Sequence, residues 1–367
     1  DSRNLMDKLL ELAIAIQQIP APTFEESQRG EFVRKLFEEE ELEDISKDEV
    51  GNIYGRYRGE GIGAPLVICA HLDTVFPAQT DLRLARDPKR LTGPGIGDNS
   101  LAVAGMLALI WMLREKNIRL PGDIWLVATV GEEGLGNLQG MRAVVNHFED
   151  TPIAYLALEG MALGYIYNRA LGVRRYRVSA STEGGHSWGH YGRSSAIHEL
   201  AKLITALTAL ELPSSPRTTM NVGVISGGIS VNTIAAEASF ELDLRSEGED
   251  ALTELIRDTE ALILSANKPE VKIVAEQIGK RPAGKIPASH PLVKLAERSL
   301  IQQGVKPILI VGSTDANIPL SRGYPAICLG VSTGEGAHTM DEFIDTEPVA
   351  QGMAQLLYFV ENLWGIA

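Results

Sequence analysis

Apolar residues run almost unbroken from position 65 to 72, ending LVICAHL, the pattern of a β-strand covered on both faces. Similar runs at 124–130 and 153–158 predict further buried strands, and helical spacing over 101–116 precedes the first of these two. Upstream, Thr23-Phe24-Glu25-Glu26 has the form of a capping box, which predicts a helix to about Glu40, followed by a strand at 51–57. Strands alternating with helices indicate a layered α/β domain.

The texture changes near Gly172. Residues 174–181 alternate, 195–210 are helical, and 220–225 and 236–245 read as strands. The second of these, AEASFELDLR, puts Phe240, Leu242 and Leu244 on one face. A helix over 250–266 and a strand over 271–275 complete the order β-α-β-β-α-β, a ferredoxin-like split unit. After Pro287 the α/β texture returns, with a helix at 291–303, strands at 308–311 and 326–329, and a final helix at 348–363. The expected organisation is an α/β domain with a mixed sheet, residues 1–171 and 281–367, carrying an inserted ferredoxin-like domain at 172–280.

The 367 residues carry a net charge of −14, whose field opposes nucleic acid and anionic membrane surfaces. No apolar run reads as long enough to span a bilayer. The stretch LLELAIAIQQIP contains Glu11 and has no basic leader, so it reads as an amphipathic helix. Cys69 and Cys328 both lie in apolar runs, as buried free thiols do, which fits a cytoplasmic setting.

Chemistry-bearing residues collect where the apolar runs end. His71 and Asp73 close the first run and, as i and i+2 on a strand, project together. A carboxylate beside an imidazole fixes its tautomer, as behind a metal-bound histidine; the plain alternative is a polar strand end. Gly93-Pro94-Gly95-Ile96-Gly97-Asp98-Asn99-Ser100 resembles a dinucleotide loop, but Ser100 replaces the third glycine. Asp98 would also put negative charge where a pyrophosphate sits, so the turn suits a cation, or Asp98 simply caps a helix. Glu132 and Glu133 close the run IWLVATV, and adjacent carboxylates there are costly without a compensating cation. Glu159 ends the next run, and His338 follows AICLG and a glycine-rich turn. In α/β sheets, sites gather beyond the carboxyl ends of the strands. Two divalent cations would be balanced by Asp98, Glu133, Glu159 and one hydroxide. With nitrogen and oxygen donors and no cysteine, Zn²⁺ fits, and Mn²⁺ or Co²⁺ is tolerated.

The ordered set HLDTV, GIGDN, GEEG, ALEG and GAHTMDE resembles the co-catalytic dizinc exopeptidases and deacylases, a family that includes peptidase T, carboxypeptidase G, aminoacylase and succinyl-diaminopimelate desuccinylase. The resemblance covers nearly the whole chain. It implies that Asp98 bridges two metals, that His71 and Glu159 complete one, and that Glu133 and His338 complete the other. It further implies that Asp73 orients His71, that Glu132 is the general base, and that the Asp98–Asn99 peptide bond is cis. The inserted domain would then be a lid and dimerisation domain, with His186 completing the active site of a neighbouring subunit. Asn232 and Arg245 match lid positions that contact a substrate carboxylate, and Thr314 and Asp315 lie in a substrate-side loop. Glutamate at 159 is similar to the deacylases and aminoacylase, whereas STDAN and AHTMDE are closer to the peptidase T-like branch. The implied substrates are therefore short peptides or N-acyl amino acids.

A competing pattern is Gly185-His186-Ser187-Trp188-Gly189, the G-x-S-x-G of a serine hydrolase elbow, with Asp315 and His338 downstream. An elbow requires a helix directly after the serine, whereas Gly189 and Gly192 intervene here. A non-catalytic metal- or peptide-binding protein would have no need of Glu132 as a base.

Overall fold

The computed structural model describes residues 2–366. The chain divides into two compact units, one made of Asp1–Ala170 and Gly284–Ala367, the other of Leu171–Ala283.

The first unit is built on a nine-stranded sheet. Its centre is parallel, in the order Gly122–Thr129, Gly63–His71, Ala154–Glu159, Ala326–Gly330. Ile53–Tyr57 and Glu43–Lys47 extend one side antiparallel, and Tyr165–Ala170 pairs antiparallel with Ala326–Gly330 on the other. Ile308–Gly312 joins Tyr165–Ala170 in parallel. The central strands are apolar along most of their length because both faces are covered, and Leu66, Val67, Ile68 and Cys69 are all fully buried. Helix Leu101–Glu115 buries every residue from Leu101 to Leu113. Together with the irregular turn before it, the segment Ile96–Glu115 is long and apolar enough to cross a membrane by composition, contrary to the sequence expectation. Its apolar window is 94% buried within the fold, so it is a core helix.

Because the central strands are parallel, their carboxyl ends lie along one edge, and His71, Thr129 and Glu159 are the last residues of three of them. A small antiparallel sheet of Gly334–Glu335, Phe343–Asp345, Arg90–Thr92 and Ala85–Arg86 holds the segments around His338 and Asp98.

The second unit is a four-stranded antiparallel sheet in the order Thr218–Gly227, Glu237–Ser246, Gly172–Ser181, Lys272–Arg281. Helices Ala196–Thr208 and Glu249–Ser265 cover one face of it. Phe240, Leu242 and Leu244 point into that core together with Val178, Leu200 and Leu203. The final strand is longer than its apolar pattern suggests, since it stays paired as far as Arg281↔Val173. The unit therefore runs three residues past 280.

Candidate metal centre

Asp98 lies on the turn Ile96–Ser100, where the Asp98–Asn99 peptide bond is cis. Its carboxylate stands between two imidazoles. Oδ1 is 3.1 Å from Nε2 of His71, and Oδ2 is 3.0 Å from Nε2 of His338. Glu132 and Glu159 approach the same His71 nitrogen at 3.5 and 3.7 Å, and Glu133 comes within 3.4 Å of His338. Two groups, His71-Asp98-Glu159 and Asp98-Glu133-His338, each bring their ligating atoms within 4.8 Å of one another, and His71-Glu132-Glu133 does the same. His338 adopts φ 68°, an unusual conformation for a non-glycine residue that aims its ring at Asp98.

Asp73 organises this cluster more broadly than the H-x-D pattern suggests. Nδ1 of His71 meets the Asp73 carbonyl oxygen at 3.0 Å, while the Asp73 carboxylate sits 3.4 Å away. That carboxylate accepts the backbone N–H groups of Glu132 at 3.1 Å and Glu133 at 2.9 Å, and the Thr23 hydroxyl at 2.7 Å. Thr23 therefore does not cap a helix. The helix is Ser27–Glu39, and Glu26 accepts from the N–H groups of Phe24 and Gly131. Arg29, 2% exposed, donates to the carbonyls of Leu72 and Ile19 and ties this segment beneath the site. Sequence reasoning missed Thr23, Glu26 and Arg29 because their partners are distant in the chain.

The cluster fits a pair of cations. Nδ1 of His71 is engaged with Asp73, while its buried Nε2 has no hydrogen-bond partner and faces carboxylates. A buried ring nitrogen faced by carboxylates fits a cation site, where an ion would take the place of the proton, better than a satisfied core histidine. Burial, reinforced by the charge of Asp98, lifts Glu133 to about 7. Burial also raises Glu159. Burial opposes ionisation of Asp98, yet its bonds to His338 and His71 hold it well below the carboxylate range. Burial alone would lower His71, but the charges of Glu132 and Glu159 push it well above the histidine range. His338 is lifted to about 10 by its bonds to Asp98 and Glu133.

These shifts set a sign for metal binding. Below about pH 10 the metal-free His338 holds a proton that a cation must displace, and the raised pKa of His71 acts in the same direction. Zn²⁺ binding at pH 7 is therefore expected to release protons, and affinity to fall about tenfold per displaced proton for each unit of acidification. Calorimetry in buffers of different protonation enthalpy checks this; a heat independent of buffer would contradict it.

Thr314 and Asp315 are 6% and 3% exposed and are engaged within the fold. Thr314 Oγ1 accepts from Ala316 N–H, and Asp315 accepts the buried Thr129 hydroxyl at 2.7 Å.

The remaining candidates lie in the second unit. His186 pairs with Thr233 in a two-residue ladder, and Ser187 N–H donates to the Asn232 carbonyl, so His186 and Asn232 are neighbours. Nδ1 of His186 accepts from Trp188 and Gly189 N–H, which leaves Nε2 as the N–H donor of the neutral ring. Ser187 is no elbow, because the next helix begins only at Ala196. Arg245 donates to Asp243, which also accepts from Arg175.

Among known proteins, the chain is 26% identical over 359 residues to the N-formyl-4-amino-5-aminomethyl-2-methylpyrimidine deformylase of Bacillus subtilis, covering 84% of this chain and 82% of that protein. Its fold matches a tripeptidase of Staphylococcus aureus with TM-score 0.83 at 23% identity, covering 98% and 99% of the two chains. It also matches aminopeptidase PepT of Bacillus cereus with TM-score 0.80 at 23% identity, covering 99% of each. The sequence pattern of peptidase family M20/M25/M40 matches residues 67–362, from within the strand that ends at His71 to beyond His338, and the chain belongs to that family of enzymes.

Proposed function

We propose that this chain is a metal-dependent exopeptidase that hydrolyses a terminal amide bond of short peptides, with Glu132 as general base. The observation that carries the reading is the Asp98 carboxylate held between Nε2 of His71 and Nε2 of His338 at 3.1 and 3.0 Å. His71, Asp98 and Glu159 would hold one ion, and Asp98, Glu133 and His338 a second. Zn²⁺ is the best match to these donors, with Mn²⁺ or Co²⁺ as substitutes. Such a pair would supply Lewis-acid polarisation of the scissile carbonyl and a lowered pKa for the attacking water.

The protein groups do the rest. Glu132 takes a proton from the attacking water at its carboxylate and delivers it to the leaving nitrogen. Asp73 holds the main chain of Glu132 and Glu133, so base and ligand keep a fixed separation. On the family resemblance, His186 donates from Nε2 to the carbonyl oxygen as it gains charge, in the active site of a second copy. Arg245 and Asn232 would receive a substrate carboxylate.

A homodimer through the second unit is part of this proposal. The edge strand Thr218–Gly227 leaves Val224 and Ile225 more than half exposed, and Ile229 and Val231 beyond it are almost fully exposed. An apolar, unpaired edge is a template for a second strand. Buried thiols at Cys69 and Cys328 accord with a cytoplasmic setting.

The second reading is deacylation of N-acyl amino acids on the same site, favoured by Glu159 and by the deformylase relative. A screen of di- and tripeptides against N-formyl, N-acetyl and N-succinyl amino acids separates the two, with metal content and mass in solution read on the same sample. EDTA is expected to abolish activity, and a serine-directed phosphonate to leave it intact. The reverse result would reinstate Ser187.

A further inference from the structure

We propose that Glu342 is a positioning residue for this centre, whose buried carboxylate clamps the main chain of Asp98 and thereby sets the affinity for both ions. The inference rests on the dimetal reading above. Glu342 is fully buried, four residues after His338 and at the start of the strand Phe343–Asp345. One of its oxygens, Oε2, accepts from both Gly97 N–H at 2.8 Å and Asp98 N–H at 3.0 Å. Its backbone carbonyl accepts from Gly93 N–H at 2.7 Å, and its own N–H donates to Thr339. One residue thus ties the segment carrying His338 to the turn carrying Asp98 and to the stretch just before it.

The turn is closely packed and is also held by Asn99, whose Nδ2 donates to the Leu158 carbonyl and whose Oδ1 accepts from Gly160 N–H. A Cβ at Gly97 would come within 2.4 Å of Met161 and 2.9 Å of Ile344, so the backbone itself lies against its neighbours. Its N–H groups need an acceptor there, and Glu342 supplies it. A rotation of the Asp98 main chain would carry the carboxylate away from His71 and His338 together, since both histidines address that single group.

The clamp uses only one oxygen. Oε1 is buried with no close partner, although Gly95 N–H also faces the carboxylate, so a glutamine can keep its carbonyl oxygen on Gly97 and Asp98 N–H while its buried nitrogen costs some stability. Glu342→Gln therefore tests geometry apart from charge, while Glu342→Asp is one methylene too short to reach both N–H groups.

The experiment is Zn²⁺ binding by chelator competition on wild type and the Gln, Asp and Ala variants, alongside thermal melting of each metal-free protein. Glu342→Ala and Glu342→Asp are expected to bind Zn²⁺ about 10–100-fold more weakly, the range for groups that orient metal ligands, and Glu342→Gln to stay within about threefold of wild type. A merely structural residue would shift melting without this pattern of loss and rescue. If Glu342→Ala does not fold, Glu342→Asp carries the test. Wild-type affinity in the folded Asp or Ala variant, or a Gln variant as weak as Asp, overturns the clamp alone. A wild type that takes up no Zn²⁺ defeats the dimetal reading and the clamp with it.

Discussion

Glu132→Gln is expected to keep its bound Zn²⁺ and to lose turnover by about 10²–10⁴-fold, the usual contribution of a positioned general base. The amide has nearly the shape of the carboxylate but cannot accept the water proton. Glu132 is 5% exposed, and its main chain is fixed by the Asp73 carboxylate, so the substituted side chain keeps its place. The loss should fall on kcat with KM little changed, because the missing interaction forms only as the proton moves. Zinc analysis and steady-state kinetics on one sample decide the matter. Turnover like that of wild type would remove Glu132 from the mechanism, whereas loss of zinc would make it a ligand.

The second large effect is expected from Asp98→Ala. Asp98 belongs to both of the groups His71-Asp98-Glu159 and Asp98-Glu133-His338 that could each hold an ion, while His338 and Glu159 each belong to one. Removing it takes away the one carboxylate common to those two groups. Both ions should be lost together, where Glu159→Ala should cost mainly one. Activity should fall by at least about 10³-fold, because Lewis-acid stabilisation worth several kcal/mol disappears and each 1.4 kcal/mol is tenfold in rate. Metal stoichiometry by elemental analysis is the decisive measurement; two retained equivalents would show that Asp98 is no bridge.

Much of the site was legible in the sequence because a parallel sheet converts a one-dimensional pattern into a location. Each apolar run that ends in His71, Thr129 or Glu159 is a central strand, and parallel strands deliver their carboxyl ends to the same edge. Those residues could be grouped without knowing the strand order. The order itself depends on pairing between distant segments and left no local trace. The strand Tyr165–Ala170 was overlooked, since YIYNRA is only half buried and its alternation is weak. Glu342 carries no sequence signal of its role, because its partners Gly93, Gly97 and Asp98 lie some 245 residues away in the chain. Thr23 and Glu26 were misassigned for a related reason. A short-range pattern, T-x-x-E, matched a helix cap, while the structure uses both side chains to hold the loops bearing Asp73 and Gly131.

Strand order and chain order also disagree in a way that bears on how the protein is made. Ala326–Gly330 sits between Ala154–Glu159 and Tyr165–Ala170, two strands synthesised more than 150 residues earlier. A nascent chain that has reached residue 300 therefore holds an apolar strand, AYLALE, whose edge has nothing to pair with. Leu171–Ala283 lacks this problem, since all four strands of its sheet are present once Arg281 emerges. The inserted unit can fold first, on the ribosome, while the metal-binding unit waits for a strand and a histidine made after it. That interval exposes a buried-type edge, the condition under which chains aggregate or call on chaperones.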